Sequence, residues 1–429
     1  LMTKYIPTIG IECHVQLCTK TKLFSEVDND ARGKEPNSCV SPVDYGLPGV
    51  LPRLNQEAIP FAVRAGLALN AEINLESRFD RKHYYYPDLP KGYQITQLFH
   101  PIIGAGYVVL PDGTQVRIEH AHLEEDAGKS THESSYSLID LNRAGTPLIE
   151  IVSMPDIHSA EHARDYTKEL WRVMTYAGVT FGDLYNGNMR FDVNISIAPE
   201  DSDKLGTKTE IKNLNSFRSV ERVVAYEIKR QTKLLEQGET TGQRTKEGAA
   251  DYRYMPEPDI PPIRLAADIV EQERANLPKM PAWYREHFAE VLPQDLIEVL
   301  LDYPQLMQKL AELEDSNAIK KVANLFSSVL LAEENTSKAQ LFDLVTMNAK
   351  NELSSTATKE VFLKFFDPEM HYKDTRTIAK ELGVVQENDL GALEAIVDTV
   401  LAKPETQQAQ ADYKAGQEKV LGFLVGQVM

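Results

Sequence analysis

The stretch Ile9 to Leu17 reads IGIECHVQL. Apolar Ile9, Ile11, Cys13, Val15 and Leu17 alternate with Glu12, His14 and Gln16. A period of two marks a half-buried strand, because successive side chains leave a pleated backbone on opposite sides. One face therefore belongs to a core. The other carries a carboxylate, an imidazole and an amide spaced two residues apart. The pattern returns at Arg190 to Ile197 (RFDVNISI), where Asp192, Asn194 and Ser196 alternate with Phe191, Val193, Ile195 and Ile197. Pro147 to Ser153 (PLIEIVS) reads as a third strand. Thr207 to Leu214 (TKTEIKNL) reads as a neighbour of the second, joined through a turn near Gly206.

Helical signals lie between these strands. Ser159 is placed to cap a helix running to about Ala177, with Ala163, Tyr166, Leu170, Val173 and Ala177 on one face and Gly178 to end it. A second helix is expected from about Phe217 to Leu235, ended by Gly238. Such a succession predicts an α+β domain with a mostly antiparallel sheet and helices on one side. A proline cluster, Pro256, Pro258, Pro261 and Pro262, marks a rigid passage near its end. Beyond about residue 290 the pattern becomes amphipathic and helical, as in Asn317 to Glu334, Thr358 to Phe366 and Gly391 to Ala402. Three parts are expected: an α+β domain over 1–290, an all-α helical domain over 291–403, and the start of a helical tail over 404–429. The tail is expected to continue past the apolar stretch Val420 to Val428.

Hydrophobic residues make up 42% and charged residues 26% of the 429, which suits a soluble protein with a normal core. No apolar run approaches the ~20 residues that span a bilayer, and the first residues do not read as a signal peptide. Three cysteines, Cys13, Cys18 and Cys39, lack zinc-site spacing and are too few for a disulfide framework. A reducing cytoplasm follows as the expected compartment. The net charge of -18 excludes a generic basic nucleic-acid coat, so any RNA contact must be local.

The polar strand faces carry the chemistry. Glu12 and His14 share one, Asp192 and Asn194 share another, and Glu210 stands between Lys208 and Lys212 on a third. The segment His120 to Lys129 (HAHLEEDAGK) adds Glu124, Glu125 and Asp126. Three consecutive carboxylates repel unless a cation or water offsets the charge. Neighbouring strands would gather these groups into a concave acidic site, whose oxygens and single imidazole suit Mg²⁺ or Mn²⁺ better than zinc. Taken singly, each strand reads more readily as a solvated face. Ala127 to Thr131 (AGKST) imitates the end of a phosphate-binding loop, but Leu123 occupies the place of its first glycine. That disfavours a Walker-type site while leaving Lys129 as a point charge near phosphates. Asp80 to Asp88 (DRKHYYYPD) and Lys91 to Gln97 (KGYQITQ) join basic groups to aromatics that could stack on unpaired bases, or simply form a Tyr-rich hairpin. His83, His100, His158 and His162 have no partner pattern and are expected to be structural.

Several long motifs together resemble one family. Gly10 to Leu17 (GIECHVQL), Tyr45 to Pro52 (YGLPGVLP), Lys82 to Gln97, Leu123 to His132 (LEEDAGKSTH), Asp140 to Asp156 (DLNRAGTPLIEIVSMPD), Glu210 to Phe217 (EIKNLNSF) and Asp251 to Asp259 (DYRYMPEPD) are similar to the B subunit of the bacterial glutamyl-tRNA(Gln)/aspartyl-tRNA(Asn) amidotransferase. The resemblance implies a cradle-shaped, glutamine-synthetase-like first domain. It implies ATP and Mg²⁺ as cofactors, and phosphorylation of the side-chain carboxylate of Glu-tRNA(Gln) or Asp-tRNA(Asn). It further implies partners: an amidase-like A subunit that supplies ammonia and a small C subunit. Carried over by motif, Glu12, Glu124, Glu125 and Asp126 would be catalytic, and His14, Glu125, Asp192 and Glu210 would hold metal. Lys82, Tyr84 and Gln94 would line the pocket for the tRNA acceptor end, and Lys129 would meet phosphate. The chain has no GGSSGG amidase signature, so glutaminase chemistry is expected from another subunit. No large insert interrupts the tail region, which disfavours the archaeal-type E subunit. The competing expectations are a tRNA-binding scaffold without chemistry of its own and a free-standing ATP-dependent ligase.

Overall fold

The computed structural model describes residues 4–239, 252–330, 338–365, 367, 370, 373–386, 397–415 and 420–428. The chain divides into two compact units, Leu1–Trp283 and Tyr284–Met429. Strands of the first unit, in chain order, are β1 (Tyr5–Gln16), β2 (Glu76–Ser77), β3 (Asp80–His83), β4 (Tyr93–Thr96), β5 (Gly106–Val109), β6 (Gln115–Glu125), β7 (Lys129–His132), β8 (Ser137–Asp140), β9 (Pro147–Ser153), β10 (Met189–Pro199), β11 (Thr209–Leu214), β12 (Met255–Pro256) and β13 (Ile263–Arg264). Its helices are α1 (Ala58–Ala68), α2 (Ala160–Tyr176), α3 (Phe217–Glu236) and α4 (Ala267–Ala275).

Among the described residues nine strands form one sheet in the order β11-β10-β1-β9-β6-β4-β3-β12, with β5 beside β6. Every pairing in it is antiparallel. The quoted strand β1 sits inside this sheet, between β10 and β9. Its apolar residues Ile9, Ile11, Cys13 and Val15 are at most 1% exposed, so its core face is complete. Register carries that face sideways: Cys13 lies opposite Phe191 and Ile151, and Ile151 opposite Ala121. All of these are fully buried. Each large apolar side chain so placed contributes ~1.5–3 kcal/mol. That is why the pattern of two, once begun, fixes which groups face the other way.

Helix α2 supplies Ala163, Tyr166, Leu170 and Met174 to the same core. Its start is fixed by Ser159, whose hydroxyl accepts from the His162 N–H at 3.1 Å, satisfying an amide the first turn leaves free. Gly178 ends it with φ +67°, a conformation that costs glycine little. Ser216 caps α3 in the same way. The α+β class and the mostly antiparallel sheet are thus present.

In the second unit the described residues form helices and their connections only. Ser316–Leu330 begins where the amphipathic run at Asn317 was expected, and Ser355–Lys364 covers most of the next. The end of the first run and the first half of Gly391 to Ala402 lie outside the described residues. Ile297, Leu300, Met307, Val322, Leu344, Val361 and Ile378 are among its buried residues. No helix among the described residues is long and apolar enough to cross a membrane.

Candidate functional site

Register decides which polar groups meet. Glu12 lies directly opposite Asp192 on β10. His14 lies opposite Glu150 on β9, and Glu150 opposite His122 on β6. Glu124 follows His122 by two residues and so shares its face. Glu210 on β11 pairs with Asn194, which shares the face of Asp192. Two groups of possible cation ligands result. One is His14, Glu124 and Glu150, the other Glu12, Asp192 and Glu210, and within each the ligand atoms lie within 4.8 Å of one another.

In the first group His14 Nε2 stands 3.8 Å from Glu124 Oε1 and 3.6 Å from Glu150 Oε2. Burial alone would favour the neutral imidazole. The close approach of Glu150 and the charge of Glu124 outweigh it and push the ring up to about 9. Burial likewise opposes ionisation of Glu150, but His14, His122 and Lys82 hold its carboxyl well below the usual range. Glu124 Oε2 is buried with no hydrogen-bond partner.

The second group is all oxygen. Asn194 Nδ2 donates to Glu12 Oε1 at 2.8 Å. The Asn213 N–H donates to Asp192 Oδ1 at 2.8 Å, from a left-handed backbone with φ +60° that asparagine tolerates. Burial raises the Glu12 carboxyl, and Glu150, Glu210 and Asp192 raise it further against the Asn194 bond. This is self-repulsion of a kind that a divalent cation offsets. Both groups fit a hard cation: mostly carboxylate oxygens, with an orphaned Glu124 oxygen in the first and an orphaned Asn194 Oδ1 in the second.

The other expected residues fall elsewhere. Glu125 lies outside both groups and faces away from Glu124, as adjacent strand residues do. Its buried carboxylate takes the Lys91 ammonium and the Ile95 N–H at 2.9 Å. Asp126 returns to the polar side, but cations already hold it: Arg190 at 2.9 Å and Arg143 at 3.4 Å, with Gln16 donating at 3.1 Å. Burial works to raise Asp126, and Arg190 and Arg143 keep it below the usual range.

Lys82 does reach the face. Its Nζ lies 4.9 Å from the Tyr252 ring centre, and the charges of Glu124 and Glu150 raise it against burial. Gln94 donates to the Glu125 carbonyl at 2.7 Å, and Tyr84 reaches Gln94 at 3.5 Å. Tyr84 also packs edge-on against Tyr86 and Tyr252, so aromatic rings border the acids. Lys129 is exposed on the separate β7–β8 ladder and lines a cleft of about 700 Å³ with Gln16, Lys20, Asn142 and Arg143. His83 and His158 bind the carbonyls of Arg253 and Pro7, and His162 pairs with Asp112.

Sequence reasoning missed Glu150, His122 and Lys91. For Glu150 a signal existed, a lone carboxylate inside the apolar strand PLIEIVS. For Lys91 none did.

Residues 7–271 match the family described as GatB/GatE catalytic domain. Residues 306–429 match the one described as GatB domain. A relative from Marinobacter nauticus is 44% identical over 98% of this chain and 94% of its own length. Relatives from Persephonella marina and Coxiella burnetii are each 42% identical over 99% of this chain and 95% of theirs. All three bear the name of the B subunit of an aspartyl/glutamyl-tRNA(Asn/Gln) amidotransferase.

Proposed function

The chain belongs to the GatB/GatE family, and on that premise we propose that it is the activating subunit of a tRNA-dependent amidotransferase. It takes tRNA carrying glutamate or aspartate. A side-chain carboxylate oxygen attacks the γ-phosphorus of ATP, the bond to the β-phosphate oxygen breaks, and ADP leaves. Ammonia then attacks the acyl carbon and phosphate departs, giving the amide. The names of the relatives support the amidotransferase role and the tRNA substrates. An amidase-like A subunit supplying ammonia, a small C subunit, a cradle-like first domain akin to glutamine synthetase, helices that hold the tRNA body, and a cytoplasmic location belong to the same reading.

The observation that carries it is the convergence of six residues able to ligate a cation from β1, β6, β9, β10 and β11 on one sheet face. His14, Glu124 and Glu150 would hold one Mg²⁺, and Glu12, Asp192 and Glu210 another. Bound there, the ions would offset charge on the phosphoryl oxygens. The protein's own residues do the rest. Asn194 orients the Glu12 carboxylate, and the Asn213 amide orients Asp192. Arg190 and Arg143 keep Asp126 ionised at the rim. Lys82 offers an ammonium between the acids and the tyrosines, where a substrate carboxylate could be steadied. Positioning supplies most of the acceleration in phosphoryl transfer, so this fixed framework is what the reaction asks for.

The test is ADP formation from labelled ATP with Glu-tRNA(Gln) and no glutamine. Turnover that requires Mg²⁺ and is lost in Asp192→Ala and Glu124→Ala supports the proposal. Unchanged turnover in both variants sinks it and leaves a tRNA-binding scaffold.

A further inference from the structure

We infer that the outer face of α3 is a docking surface for the phosphate backbone of RNA. The inference rests on the tRNA reading above for the identity of that RNA, and adds a contact surface to it. Along α3 the side chains of Val220, Val224, Glu227 and Gln231 are buried. Arg218, Arg222, Tyr226, Lys229 and Lys233 are exposed. With a turn of about 100° per residue, these five fall within an arc of ~80°. They form one stripe, ~22 Å long from Arg218 to Lys233. Among the described residues none of the four cations has a hydrogen bond or an ion pair. The acids of the helix are turned elsewhere. Glu221 takes Arg164 of α2 at 2.8 Å, and buried Glu227 takes Arg230 at 2.6 Å. Exposed Glu236 stands at the last residue of α3, past the end of the row.

Like charges three or four residues apart weaken a helix, so a row of cations without acids of its own calls for an anion from outside. The charge of -18 repels RNA from the chain at large, and contact must therefore be local. A row of unpaired cations one or two turns apart supplies it. A protein partner would need an apolar centre poor in lysine. Here the exposed apolar groups of the stripe are Ala225 and the ring of Tyr226, which stands 66% exposed at its margin. The Tyr226 hydroxyl adds an uncharged donor of the kind that binds phosphate oxygens. The stripe begins shortly after β11, the edge strand that carries Glu210. RNA held along α3 thus lies at the sheet edge that carries one of the ligand groups.

The experiment measures retention of a labelled tRNA(Gln) transcript by the full chain between about 50 and 200 mM salt. One variant combines Arg218→Gln, Arg222→Gln, Lys229→Gln and Lys233→Gln, all at exposed positions, and should melt with the parent. Its affinity at the lower salt should fall on the order of 10²-fold, and the slope of log affinity against log salt should flatten by about 3–4. Arg222→Gln alone should flatten it by about 1, which decides if the combined variant fails to fold. Tyr226→Phe should weaken binding and leave the slope unchanged, because a neutral contact releases no counterion. Affinity and slope equal to the parent's overturn the inference and leave the catalytic reading standing, since Mg²⁺-dependent ADP formation is scored separately. A parent chain that binds no tRNA overturns both the inference and the tRNA reading. Intact tRNA binding with loss of a co-purified A subunit assigns the stripe to a protein partner and overturns the inference alone.

Discussion

His14 Nε2 lies 3.6 Å from Glu150 Oε2, across the pairing of β1 with β9. Against the opposing effect of burial, this contact and the charge of Glu124 raise the folded imidazole from 6.5 to about 9. A raised value in the folded state stabilises the metal-free protein fully below the unfolded value, and the gain disappears as pH rises through the folded one. Metal-free protein is therefore expected to lose roughly 2–4 kcal/mol between pH 6.5 and about 9. Thermal melts across that window check it, and His14→Asn should remove this step. A cation must displace the same proton, so metal binding should release a proton and tighten as pH rises.

Glu150, absent from the sequence candidates, is expected to matter as much as Glu12. Glu150→Gln and Glu12→Gln keep the shape and remove a charge from each ligand group. ADP formation on charged tRNA should fall about 10²–10³-fold in each, with the melting temperature of the metal-bound protein near that of the parent. A loss below tenfold for Glu150→Gln would remove it from the machinery.

Glu125 should behave as part of the fold. Lys91 and Glu125 are 6% and 2% exposed, and removing one partner strands the other. Lys91→Met should destabilise the chain by about 3–5 kcal/mol, read by urea unfolding. Replacing both with apolar residues should recover most of that loss. Equal stability of the single variant and the parent would contradict the burial argument.

Lys82 and Tyr84 can be separated by kinetics. Lys82 faces Glu124 and Glu150 and stands over Tyr252. Lys82→Met should raise KM for the charged tRNA about 10–100-fold, the worth of one charge-assisted hydrogen bond. Tyr84 reaches Gln94 only at 3.5 Å, at the edge of useful geometry. Tyr84→Phe should leave KM close to that of the parent.

Strand identity was legible because burial enforces a period of two. Once Ile9, Ile11, Cys13 and Val15 enter the core, Glu12 and His14 must face the other way. The same rule contained the answer for Glu124 and Glu125: neighbours on a strand cannot serve one site. Charge composition masked this, because three acids in a row read as a single cluster. The helix cap Ser159 was legible for a local reason, since a hydroxyl one step before a helix answers an amide two or three residues on.

The sequence by itself determined the family, the α+β class, the strands β1, β9, β10 and β11, the Ser159 cap, and which faces of β1 and β10 are polar, for these depend on spacing of a few residues. Only the tertiary structure decided which faces became neighbours. The order β10-β1-β9-β6 brings Asp192 beside Glu12, His14 beside Glu150, and Glu150 beside His122. Pairings between strands distant in the chain are set by the packing of whole strands against a shared core, and no local pattern encodes them.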